Sequence, residues 1–283
     1  MLKNVYPLNF KNGMNEMEIM NIILYIMIFI SGSVFGSFFT LAVYRLPRKE
    51  NITYVRSHCT TCNHKLNILD LIPIWSYIFL GGKCRYCKDK IRSRYILLEI
   101  FSGLVFLLIA LSLKITVFST LNEFINLAFI YLFVCALFII GGIDKEKYII
   151  HDGTLIYGIV VSLAYGIFNA FMNVSMKYNL LGFIVIPLVM LVISKILKYI
   201  KSEDKLPIGF GDIKYIALIG LFLGFGMQIL SIISAVIIAI IMTLIKKYEK
   251  IPFGYFLSIS TTIVIIFNSQ LSQIADLINI SFM

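Results

Sequence analysis

Charge is what this sequence has least of. Only 14% of its 283 residues are Asp, Glu, Lys or Arg, while 59% are hydrophobic. Soluble domains carry about 25% charged and 45–50% apolar residues. The composition therefore excludes an ordinary soluble domain and points to a polytopic membrane protein. Histidine is nearly missing, with three in the chain, and no HExxH occurs. That removes the zinc proteases built on the motif. No internal duplication is visible, whereas ion-coupled transporters are commonly built from repeats. The opening stretch MLKNVYPLNFKNGMNEMEIM lacks the order of a cleavable signal, so the first apolar run is expected to stay in the protein. The formal net charge is +10, yet no basic tail or soluble domain is present to bind nucleic acid.

What the sequence has instead is long apolar runs. A membrane-crossing helix needs about 20 mostly apolar residues. Eight runs qualify or nearly so: 18–44, 96–113, 124–143, 154–172, 179–200, 213–224, 227–245 and 253–270. The expected fold is all-α, with about eight transmembrane helices. The sixth run is short and follows Gly-Phe-Gly-Asp. Connections 45–95, 144–153, 195–214 and 246–252 hold 21 of the 25 lysines and arginines. Positive-inside bias puts these four in the cytoplasm and both termini outside. Three parts follow: an N-terminal segment with the first transmembrane helix (1–44), a cytoplasmic four-cysteine loop (45–95) and a transmembrane core (96–283).

Four of the five cysteines fall in the first basic loop, as Cys59-x-x-Cys62 and Cys84-x-x-Cys87. Two such knuckles can converge on one tetrahedral zinc in a zinc-ribbon-like loop. A reducing cytosol argues against two disulfides. His58 and His64 are nearby substitute ligands, but four thiolates already complete the shell. The metal's expected role is structural, because so short a loop cannot build much core. Between the knuckles, ILDLIPIWSYIFLGG is apolar but too short and interrupted for a span. It suits the membrane interface, with Trp75 and Tyr77 at headgroup depth. Cys135, in the middle of an apolar run, reads as a small buried residue.

Three acids fall at cytoplasmic membrane edges. Asp144 ends the third run, Asp152 precedes the fourth, and Asp212 precedes the sixth. Two carboxyls brought together share a proton, so that one can activate water while the other protonates a leaving group. Gly209 and Gly211 would tighten the turn or admit a substrate strand. The plain alternative for Asp212 is a helix N-cap. A further alternative is an ion-coupled transporter that uses these aspartates.

These residues carry a family resemblance. The chain resembles the type IV prepilin peptidases, bacterial membrane aspartic proteases of the GxGD type. The likeness rests on GSVFGSFFTLAVYRLP, the paired CxxC knuckles, IRSRYILLEIFSG, IDKEKYIIHD, GFGDIK and KIPFGYFLSIS, in that order. It implies that Asp144 and Asp212 are the catalytic pair, with Asp152, Gly209 and Gly211 supporting. It implies substrates that are prepilins or pseudopilins, cut behind a basic leader at the cytoplasmic face of the bacterial plasma membrane. It also implies N-methylation of the new terminus from S-adenosylmethionine, with Gly82 and Lys83 in the segment linked to that step. The basic loop would face anionic lipid headgroups. Thr40, Thr60, Ile96, His151 and Tyr255 depart from the family pattern, the first where an asparagine is usual and the other four where a proline is, and none removes a carboxylate or a cysteine.

Overall fold

The computed structural model describes residues 16–52, 54, 57–201, 209–246 and 250–281. Lys3, Lys11, Arg56, Lys205 and Lys247, counted in the charge asymmetry, lie outside the described residues. Among the described residues the chain forms ten α-helices and no strand longer than an isolated bridge: α1 (Glu16–Arg45), α2 (Trp75–Phe79), α3 (Arg94–Ser112), α4 (Leu121–Lys147), α5 (Asp152–Phe171), α6 (Lys177–Lys201), α7 (Phe210–Leu223), α8 (Phe225–Lys246), α9 (Phe253–Ile266) and α10 (Asn268–Ser281).

All eight apolar runs are helical. Six helices, α1, α3, α4, α5, α6 and α8, are long and apolar enough to cross a membrane alone. α9 and α10 add a seventh crossing if taken as one span, although they are bent by 102°. α7 has 14 residues. At 1.5 Å per residue it rises about 21 Å, short of a hydrocarbon core of about 30 Å. It survives because it lies inside the bundle: Tyr215, Ile216, Leu218 and Ile219 are at most 1% exposed. The outer helices turn Ile184, Leu188, Ile237 and Ile241 outward. Water would not tolerate that surface, but lipid does.

Close packing sets the helix neighbours. α1 lies along α3. A Cβ on Gly32 would come within 2.9 Å of Gly103 Cα, and one on Gly36 within 2.9 Å of Glu99 Cα. The Gly-x-x-x-Gly in GSVFGSF is thus a helix-crossing surface, since small residues let backbones meet without lipid between them. α4 is the central helix, in contact with α1, α5 and α9. It starts at a reciprocal cap between Thr120 and Glu123. It ends where Tyr148 turns left-handed and donates its N–H to Asp144 O at 2.8 Å. Those two signals place Asp144 in the last turn of a helix about 40 Å long.

Candidate active site

Asp144 and Asp212 lie 68 positions apart in the sequence. The fold brings the end of α4 and the start of α7 to the same end of the bundle, with α9 packed on both. The Asp144 residue is 5% exposed, and Asp212 is half-buried. Both helices reach the same stretch of α9, α4 through Asp144 and the Tyr255 N–H, and α7 through Tyr215 and Ser258. Gly209 is the residue that caps α7, which makes Asp212 the third helical residue and not the cap. Its carboxyl folds back on its own turn, where a Cβ on Gly209 would stand 3.0 Å from Oδ2.

Asp144 is held from the other side by α9. Its Oδ2 accepts the Tyr255 backbone N–H at 3.0 Å. The free N–H groups of a helix's first turn are a natural seat for a carboxylate. Two glycines let α9 come that close. A Cβ on Gly254 would stand 3.1 Å from Asp144 Oδ2, and one on Gly141, a turn earlier on α4, would stand 2.6 Å from Ser258 Oγ. Lys145 lies over the Tyr255 ring, its Nζ 4.5 Å from the centroid, and donates to the phenol oxygen at 3.2 Å.

The other acid and glycine of the two motifs have local jobs. Asp152 accepts from Lys214 Nζ at 2.9 Å, joining the start of α5 to the start of α7. Both side chains are exposed, 73% and 51%, so the pair is worth at most about 1 kcal/mol. Gly211 leaves room for Ile150: a Cβ there would stand 3.2 Å from Ile150 Cβ. The segment before α5 therefore packs directly on the turn that carries Asp212.

The cysteine loop is two copies of one turn. In the first, Cys59 N–H bonds His64 O, Asn63 N–H bonds Cys59 O, and Leu66 N–H bonds Ser57 O. The second repeats this 25 residues on: Cys84 with Asp89, Lys88 with Cys84, Ile91 with Gly82. Asn63 and Lys88 both have positive φ, 55° and 62°. The four sulfurs lie within 4.8 Å of one another, and Cys59 Sγ is 3.8 Å from Cys87 Sγ. A tetrahedron with metal–sulfur bonds of about 2.3 Å has edges of about 3.8 Å, so the cluster fits one zinc. Backbone N–H groups of Cys62 and Thr61 hold the Cys59 thiol down to about 6. The Asp89 N–H favours the Cys87 thiolate, but desolvation and the three neighbouring thiols push it up to about 12. His64 is not in the cluster; its ring lies on Tyr86, with centroids 3.6 Å apart.

Gly82 has a conformational reason to be glycine, with φ +67°. Its open side is filled, since a Cβ would meet the Tyr77 ring at 3.0 Å. Lys83 pairs with Lys90 across the second turn. These two residues form no open cradle for S-adenosylmethionine. The apolar stretch between the knuckles leaves Ile68, Trp75 and Phe79 exposed by 79%, 55% and 80%. It is tied to the membrane bundle by Glu99 on α3, which accepts the Ile74 N–H at 2.7 Å.

Sequence reasoning missed the α9 residues that hold Asp144. It also missed Tyr215 and Ser258, whose hydroxyls lie within apolar runs and give no signal there.

Two family models match in tandem. One described as Bacterial Peptidase A24 N-terminal domain matches residues 30–113. One described as Type IV leader peptidase family matches residues 130–244. Among curated proteins, the chain is similar to the prepilin leader peptidase/N-methyltransferase of Dichelobacter nodosus, 25% identical over 233 residues, covering 81% of this chain and 77% of the relative. The protein of the same name from Aeromonas salmonicida is 25% identical over 289 residues, covering 87% and 92%. That from Klebsiella pneumoniae is 27% identical over 213 residues, covering 70% and 84%. No solved structure matches.

Proposed function

The chain belongs to the type IV leader peptidase family, and on that premise we propose how it works: it is a membrane aspartic endopeptidase that removes the leader of prepilins or pseudopilins, with Asp144 and Asp212 as its catalytic pair. The observation that carries the pair is their convergence, from the end of α4 and the start of α7, beside the first turn of α9. Nothing favours the transporter alternative.

The chemistry is peptide hydrolysis. One carboxylate takes a proton from a water molecule, whose oxygen bonds to the scissile carbonyl carbon. The partner carboxyl gives its proton to the departing amine as the C–N bond breaks. The amine-bearing fragment and the new carboxyl terminus are the products. Asp144 is seated on the Tyr255 N–H, a donor that favours its charged form, while Asp212 stands in the first turn of α7. A prepilin's cut site lies between a basic leader and an apolar helix. It therefore presents at the membrane edge, which is where a pair in the last turn of α4 and the first turn of α7 belongs.

The remaining assignments follow the same reading. The bundle sits in the bacterial plasma membrane, with the cysteine loop and the aspartates on the cytoplasmic side, a reading that the cation asymmetry supports. Asp152 supports the site through Lys214, and Gly209 and Gly211 through the turn they shape. Cys59, Cys62, Cys84 and Cys87 hold a structural zinc that folds the loop. The relatives' names pair peptidase with N-methyltransferase, but Gly82 and Lys83 offer no cradle for S-adenosylmethionine, so the proposal is confined to the peptidase. The exposed Trp75 and Phe79 seat the loop in the headgroup layer. Purified protein mixed with a pseudopilin tests the reading: the substrate should lose the mass of its leader, and the loss should vanish with Asp144→Asn. An intact substrate across several pilin-like proteins would defeat it.

A further inference from the structure

Tyr215 is 0% exposed, yet it carries a hydroxyl into the middle of the bundle. A buried phenol needs a partner, and here that partner fixes the direction of a chain of hydrogen bonds. Tyr215 Oη is 2.7 Å from Ser258 Oγ. Ser258 has one hydroxyl proton, and it goes to Gly254 O at 2.8 Å. Tyr215 is therefore the donor in the first bond. Gly254 C=O belongs to the same peptide unit as Tyr255 N–H, and that N–H is the group that donates to Asp144 Oδ2 at 3.0 Å. The order is Tyr215 O–H, Ser258 O–H, the 254–255 peptide, then the Asp144 carboxyl.

This line joins both halves of the site. Tyr215 stands one turn after Asp212 on α7, Ser258 is on α9, and Asp144 is on α4. Ser258 also fills the space that Gly141 leaves on α4, since a Cβ there would stand 2.6 Å from its Oγ. Hydrogen bonds in series polarise one another, by about 10–30% per bond in condensed phase. Pulling on the Gly254 oxygen makes the Tyr255 N–H a better donor.

We propose that Tyr215 and Ser258 are positioning residues for the peptidase, which orient and strengthen the Tyr255 N–H bond to Asp144 through the 254–255 peptide. The inference rests on the functional reading above. Both residues are buried, 0% and 5% exposed, and act through Asp144.

The test compares Tyr215→Phe, Ser258→Ala and the double variant, purified, on a pseudopilin that the wild type cleaves. Each single change should lower kcat about tenfold, with KM within about twofold, and the double should match the singles, because all three break one line. Ser260→Ala is the control. Ser260 is 0% exposed on the same helix, but its bonds run to Ser231 and Ser234 on α8; kcat should not move. Wild-type kcat in Tyr215→Phe overturns the proposal, and so does an equal loss in Ser260→Ala, which would mean general damage to α9. If the wild type cleaves no pilin-like substrate, the functional reading falls while the line is still judged by melting temperature. Tyr215→Phe should then lower Tm less in an Asp144→Asn background than in the native one, because the charged end is gone. Equal drops in both backgrounds would refute it.

Discussion

Replacing Gly254 by alanine should separate activity from stability. Gly254 is the second residue of α9 with an ordinary helical backbone, so alanine is conformationally welcome there. In a helix, alanine is favoured over glycine by about 1 kcal/mol. The cost is local. The new methyl would stand 3.1 Å from Asp144 Oδ2, 3.2 Å from Cγ and 3.4 Å from Cβ. Relaxed contacts begin near 3.5 Å, so the carboxyl must retreat by about 0.3–0.4 Å. It cannot retreat freely, because Oδ2 is bonded to the Tyr255 N–H and the side chain is enclosed by the bundle. A misplacement of 1 Å at a reacting group costs about 10²-fold, so this shift should cost roughly fivefold. The expected result is a kcat about five times lower for leader cleavage, measured by gel shift or mass, with Tm within about 3 °C of wild type. A Gly254→Ala protein that cleaves at the wild-type rate, at unchanged stability, would show that Asp144 is not held to within a few tenths of an ångström by α9.

Three other outcomes are expected. Asp144→Asn and Asp212→Asn should each abolish cleavage, with the double variant no worse than either, whereas Asp152→Asn should cost only a few-fold, because its ion pair with Lys214 is exposed; substantial cleavage by either of the first two breaks the dyad. Metal analysis of protein purified under reducing conditions without chelator should find close to one zinc per chain, falling away in Cys84→Ser, where the buried sulfur is lost. Single cysteines placed at Glu50 and Ser175, both exposed, should differ in labelling of intact cells: an impermeant reagent should reach position 175 and not position 50, and the reverse pattern inverts the topology.

The sequence by itself determined the helices, the loop and the family. Apolar runs of the right length must form helices in lipid, since no water is there to satisfy a bare backbone. Paired CxxC knuckles in a basic loop supply the ligand count that one tetrahedral metal needs. Asp144 and Asp212 stood out because acids at the ends of apolar runs are costly. What the sequence could not decide is which face of each run meets protein. Lipid and a protein core are equally apolar, so the hydrophobic pattern that separates inside from outside in water is silent here. That is why α7 looked like a short, weak span and is in fact the buried heart of the bundle, why an N-cap stood as the alternative for Asp212 although Gly209 holds that place, and why Tyr215 and Ser258 gave no sign. Their roles depend on α9 meeting α4 through Gly141 and Gly254, a contact between segments over 100 residues apart that only the packed structure fixes.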